Sequence, residues 1–193
     1  SIGSVMMFGM NRILISFTEA ATAVFGAYFK LNSFIFMPVF GMNNGVVPIV
    51  AYNYGAQNRL RMVETIKRST IYASCIMVFG TVLFQLIPGP LLKIFDATDT
   101  MLTVGIPALR IISLSFCMAG ACIALGSSFQ ALGKAVYSMT TSIIRQLVFL
   151  VPIAYVLARY GQSIGNDDLV WWCYPIAEIA SLGVTMLFFL RVY

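Results

Sequence analysis

An all-α integral membrane bundle of six transmembrane helices is the fold class that this 193-residue sequence predicts, and three observations predict it. Hydrophobic residues make up 60% of the chain and charged residues only 10%, with a mean hydropathy of +0.89, far outside the soluble range. Residues 31–58, 69–92 and 111–133 carry no charge, and each window exceeds the roughly 20 residues that a spanning helix needs. No segment shows the alternation of an outer-membrane strand, so helices are what can satisfy the backbone inside lipid.

The helices follow from the apolar runs and the polar breaks between them. The first, 1–17, opens directly in an apolar run with no initiator Met or basic leader, and it is short for a span, so it is expected to be truncated. The second, 21–53, ends at the polar turn 55–61, and the third, 62–87, ends at Pro88-Gly-Pro90. The fourth, 99–131, is read as one helix closed by Gly133 and Lys134. The fifth, 135–159, and sixth, 168–191, reach spanning length only by tolerating one internal charge each, Arg145 and Glu178. Short connections make successive helices antiparallel.

Sorting charges by loop tests that topology. One face collects Arg59, Arg61, Lys67, Arg68, Lys134 and Arg191 against the single acid Glu64. The other collects Lys93 and Arg159 against Glu19, Asp96, Asp99, Asp167 and Asp168. The basic face is expected to be cytoplasmic, with the C-terminus inside a plasma (inner) membrane. The net charge of +5 therefore reads as topology and not as a nucleic-acid surface.

Arg12, Lys30, Arg110, Arg145 and Glu178 belong to neither face. At 1.5 Å per residue, Arg145 and Glu178 both lie about 15 Å deep, and Lys30 and Arg110 at about the same depth. A lone charge there costs roughly 3 kcal/mol, so Arg145 and Glu178 are expected to pair. The pair has two readings: a member of a transport cavity, or a device that fixes helix register. Lys30 has a second reading as a side chain snorkelling outward, and Arg12 reads as snorkelling to the outer surface. The remaining excess of positive charge calls for a partner: acids of another lobe, an anionic substrate group, or cavity water.

Helix two carries Pro38, Gly41, Asn43, Asn44, Gly45 and Pro48 within twelve residues. Such a segment predicts a hinge with amide side chains along a solute path; Gly41 and Gly45, four apart, equally suit a small-residue packing face. Pro107, Pro152 and Pro175 allow bends in later helices. Trp171 and Trp172 read as interfacial anchors. Cys75, Cys117, Cys122 and Cys173 sit in apolar runs, without metal-ligand spacing and without any His in the chain, and read as packing. The 15 Phe, 9 Tyr and 11 Met suit adaptable apolar walls, but lipid contact and helix packing account for most of them.

No HExxH, GxSxG, P-loop or paired carboxylates on one helix face occur, so the sequence predicts no enzyme, no catalytic residues and no metal or organic cofactor. Transport would draw on an ion gradient or a partner ATPase.

The segment 24–61, VFGAYFKLNSFIFMPVFGMNNGVVPIVAYNYGAQNRLR, with Pro107-Ala-Leu-Arg-Ile-Ile-Ser, Phe129-Gln130-Ala-Leu-Gly, and Arg145-Gln followed by Pro152, resembles the multidrug and toxic compound extrusion (MATE) family. The resemblance covers nearly the whole chain. It implies a C-terminal lobe, helices seven to twelve of twelve, whose partners are membrane lipid, the N-terminal lobe and a small organic substrate. The implied activity is export of cationic organic compounds in exchange for H⁺ or Na⁺ by alternating access. Some members hold coupling-ion acids in this lobe's first and fourth helices; here residues 2–17 and 100–133 contain no Asp or Glu, which places the expected coupling site in the N-terminal lobe. The expected cavity or midplane network is Lys30, Asn43, Asn44, Arg110, Gln130, Arg145 and Glu178. The excess of basic residues motivates a second function, a flippase for lipid-linked polysaccharides of the related export branch; a non-transporting scaffold is the third.

Overall fold

The computed structural model describes residues 2–16 and 19–192. Every regular element among them is helical: α1 (Ile2–Ile15), α2 (Glu19–Gly55), α3 (Arg59–Leu86), α4 (Pro88–Lys93), α5 (Asp99–Ser113), α6 (Phe116–Ala131), α7 (Ala135–Ile143), α8 (Val151–Ile164) and α9 (Cys173–Val192). A π segment, Ile144–Leu150, joins α7 to α8, and a 3-10 turn, Asp167–Trp172, leads into α9. The chain is all-α. Among the described residues, α2, α3, the α7–α8 unit and the α9 unit are each long and apolar enough to cross a membrane, and the bent pair α5–α6 makes a fifth span. Helix α1, apolar and 14 residues long, is shorter than a span. Of the first predicted helix and the break after it, Ser1, Phe17 and Thr18 lie outside the described residues.

Local sequence accounts for the ends. The Asn58 side chain accepts the Arg61 N–H at the start of α3, and the Thr98 hydroxyl accepts the Met101 N–H at the start of α5, each relieving an orphan first-turn donor. Pro88 sits in the first turn of α4, where its missing N–H costs nothing. Gly165 closes α8 with φ of 69°, left-handed backbone that a Cβ disfavours.

The fourth predicted helix, 99–131, is not continuous. Its two halves meet at Leu114–Ser115 at an angle of 48°. There the Leu114 and Ser115 N–H groups bond three residues back, to Ile111 and Ile112, and local hydroxyls bond carbonyls of the same turn, Ser113 Oγ to Arg110 and Ser115 Oγ to Ile112. Helix α3 receives what the break frees. Thr81 Oγ1 lies 2.9 Å from the Ser113 carbonyl, and Gln85 Nε2 donates to the Arg110 carbonyl at 2.8 Å and to Ser113 Oγ at 3.1 Å. A broken helix in a membrane needs such partners, because lipid offers none. The π turns have a related origin: Pro152, at the start of α8, lacks an N–H and crowds the carbonyl four residues before it, so the preceding turns widen.

The larger of two buried apolar clusters among the described residues runs through the bundle, with Phe25, Phe84, Phe116, Met10, Met77, Leu109 and Trp171 buried in it. Trp171, expected as an interfacial anchor, is 1% exposed and a core residue; Trp172 beside it is exposed. The 3-10 turn sets the difference by turning Trp171 inward. Helices α3 and α6 come close at Gly120, where an added Cβ would lie 2.7 Å from Met77 Cγ and 3.2 Å from the Ala73 carbonyl oxygen.

Candidate functional site

Two hollows open side by side between α2, α6, the α7–π unit and α9. The first, about 290 Å³, is polar. Asn43 and Asn44 reach it from α2, Cys122, Ser127 and Gln130 from α6, Ser138, Thr141, Ser142 and Arg145 from the α7–π unit, and Ser181 and Thr185 from α9. The second, about 410 Å³, is aromatic: Tyr28, Phe29, Phe36, Phe116 and Tyr174 line it together with Asn32 and Glu178. Phe40, Ile123, Arg145 and Gln146 line both, so the two are halves of one amphipathic space.

At the join, Arg145 Nη1 lies 3.4 Å from Glu178 Oε1. The side chains are 21% and 13% exposed, so the pair that depth predicts is present and largely buried. The second carboxylate oxygen of Glu178, the Tyr174 hydroxyl and both amide atoms of Asn43 are buried without a protein partner. Unpaired buried polar groups are costly; of the four described residues that carry them, Asn43, Tyr174 and Glu178 line this space and Thr22 does not. Gln130 is satisfied, its Nε2 donating to Ser138 Oγ at 3.0 Å, and the Tyr28 and Tyr174 rings meet edge to face at 5.6 Å.

The predicted residues divide. Asn43, Asn44, Gln130 and Arg145 line the polar half, and Glu178 joins Arg145 in the aromatic half. Lys30 and Arg110 line neither. Both are exposed, and Lys30 Nζ sits 5.5 Å from the centre of the Phe95 ring beyond α4, the outward course of a snorkelling lysine. Depth along a helix does not say which way its face points. The segment Pro38, Gly41, Gly45 and Pro48 lies in an uninterrupted helix. A Cβ at Gly41 or Gly45 would meet nothing within 4 Å, so these glycines pack against no helix of this lobe.

Sequence reading passed over Ser138, Thr141, Ser181, Thr185, Tyr174 and Gln146. Their signal is periodic: Tyr174, Glu178, Ser181 and Thr185 recur at spacings of four, three and four along α9, and Ser138, Thr141, Ser142 and Arg145 recur at three, one and three into the first π turn, one polar stripe on each otherwise apolar helix.

A profile of the MatE family matches residues 2–156. The multidrug export protein MepA of Staphylococcus haemolyticus is 26% identical over 164 residues, covering 84% of this chain and 35% of that protein. Its counterpart from Staphylococcus saprophyticus is 25% identical over 186 residues, covering 94% of this chain and 39% of that protein. Among solved structures, a MOP superfamily transporter from Pyrococcus furiosus superposes with a TM-score of 0.90 at 21% identity, over 98% of this chain and 42% of that one. The chain thus spans about two-fifths of the length of these relatives. With the profile covering well over half of its residues, the chain belongs to the MatE family, the multidrug and toxic compound extrusion transporters.

Proposed function

We propose that this chain is the C-terminal lobe of an exporter that moves amphipathic, cationic organic compounds outward in exchange for H⁺ or Na⁺, by alternating access of two lobes in the plasma membrane. The observation that carries the reading is the two-part hollow. Aromatic walls from α2, α6 and α9 suit the flat apolar body of such compounds, and the hydroxyl- and amide-lined half suits their polar ends. The length of the chain relative to MepA supports a partner N-terminal lobe across the open face, where Gly41, Asn44, Gly45 and Pro48 are exposed. With no Asp or Glu in residues 2–17 or 100–133, the coupling acid is assigned to that partner lobe, and the basic loops to the cytoplasmic face together with the C-terminus.

The flippase reading called for several basic residues around the substrate. Arg145 is engaged by Glu178 and Lys30 and Arg110 line neither half of the hollow, so cation export is the better supported of the two. The test is accumulation of a panel of cationic dyes in cells expressing the full-length transporter, with proton and sodium gradients collapsed separately. Lower accumulation that returns to control when one gradient is removed supports the antiporter and names its ion. No effect across the panel would reject it.

A further inference from the structure

Glu178 is the one acid, and Arg145 the one base, among the described residues that line the aromatic half of the hollow. Their contact is loose for an ion pair. A guanidinium and a carboxylate that close on each other meet through two bonds of roughly 2.8 Å, whereas a single Nη1–Oε1 approach of 3.4 Å joins these two. The other carboxylate oxygen, Oε2, is buried and has no protein partner. One turn back on α9, the Tyr174 hydroxyl is buried and unpartnered as well, and Tyr174 lines the same half. The last torsion of a glutamate is soft, so either oxygen can turn to the space.

Aromatic rings form the sides. Tyr28 of α2 meets Tyr174 of α9 edge to face at 5.6 Å, and Phe36 of α2 meets Phe116 of α6 at 5.6 Å and 88°. Such walls take up a flat ring system, and in a setting of low dielectric a charge-assisted hydrogen bond gains strength. A ligand that completes the site therefore needs a positive charge for the carboxylate, an N–H to donate to it, and an aromatic body for the walls. A quaternary cation brings the first and the third and leaves the buried oxygen unbonded.

We propose that Glu178 is the counter-ion of a protonated aromatic amine: an N–H of the ligand donates to Glu178 Oε2 while its ring system lies among Tyr28, Phe36, Phe116 and Tyr174. Arg145 occupies the carboxylate in the empty state and yields it on binding. Because Arg145 lines both halves, its charge can move toward the polar half, where the Asn43 amide oxygen lacks a partner. The inference rests on the export reading and narrows its substrates to cations that carry N–H donors.

The test is fluorescence-detected binding to the purified full-length transporter of three ligands with one ring system: an aminoacridine, cationic with N–H donors; N-methylacridinium, cationic without one; and acridine, uncharged at neutral pH. The parent is expected to bind the aminoacridine about tenfold more tightly than N-methylacridinium, the worth of one hydrogen bond to a charged group. E178Q should lose about tenfold or more for the aminoacridine, less than about threefold for acridine, and most of the preference between the two cations. An equal loss for acridine would mean that the substitution reshaped the hollow and overturns the proposal. So does a parent that treats the two cations alike, or an E178Q variant that binds the aminoacridine as the parent does; cation export stands in those cases if the parent still lowers dye accumulation. A parent that binds neither cation overturns both readings. Should E178Q fail to fold, R145Q/E178Q, which removes both members of the pair, carries the test and must lose the same preference.

Discussion

Arg145, in the π turns, and Glu178, in α9, approach to 3.4 Å at the place where the polar and aromatic halves of the hollow meet. Removing one member strands the other's charge away from water, which costs roughly 3 kcal/mol in buried pairs. R145Q and E178Q should each lower the melting temperature of the purified full-length transporter, and R145Q/E178Q should regain most of the loss. A double-mutant cycle with no coupling between the two positions would show that the contact carries no stability.

Asn43 pays for its position with two unpaired amide atoms. Asn43→Leu has nearly the same shape and removes both, so it should raise stability by about 1 kcal/mol while lowering export of hydrogen-bonding substrates. Thermal melting and dye efflux on the same preparation separate the effects. A variant that gains stability and transports normally would exclude Asn43 from the substrate path.

The break between α5 and α6 depends on α3. Gln85→Leu strips partners from the Arg110 carbonyl and from Ser113 Oγ, and Thr81→Val strips one from the Ser113 carbonyl. Each lost bond should cost about 1 kcal/mol. Amide exchange should quicken locally at residues 111–116, more in Gln85→Leu than in Thr81→Val. Uniform exchange across α3, α5 and α6 would mean that the break is held otherwise.

Glycines separate packing from motion. Gly120→Ala pushes a methyl against Met77 and the Ala73 carbonyl and should destabilise by about 1–3 kcal/mol. Gly41→Ala meets nothing within 4 Å and should gain up to about 1 kcal/mol from helix propensity. If α2 flexes at this segment during transport, the second variant melts no lower but exports severalfold more slowly. Full export by Gly41→Ala would remove the hinge.

Lys30→Gln and Arg110→Gln test which charges matter to substrate. Neither side chain lines the hollow, so dye export by either variant should stay within about twofold of the parent, a change under 0.5 kcal/mol. A tenfold loss in efflux assays would return both residues to the path.

Composition and run length determined the class of this protein. Lipid forces every backbone group to find its partner within a segment, so an apolar run of sufficient length can only be a helix, and residues 31–58, 69–92 and 111–133 announced themselves without any tertiary knowledge. Equal depth likewise joined Arg145 to Glu178, since a rise of 1.5 Å per residue is a property of any helix. What depth could not supply was rotation. Whether a side chain faces lipid or a cavity depends on how neighbouring helices pack, and that turned Lys30 and Arg110 away from the hollow and Trp171 into the core. The break at Leu114–Ser115 was equally a tertiary decision: Pro107 and the flanking serines permit bending, but Thr81 and Gln85 of α3, far away in sequence, supply the hydrogen bonds that make a broken helix affordable in a membrane.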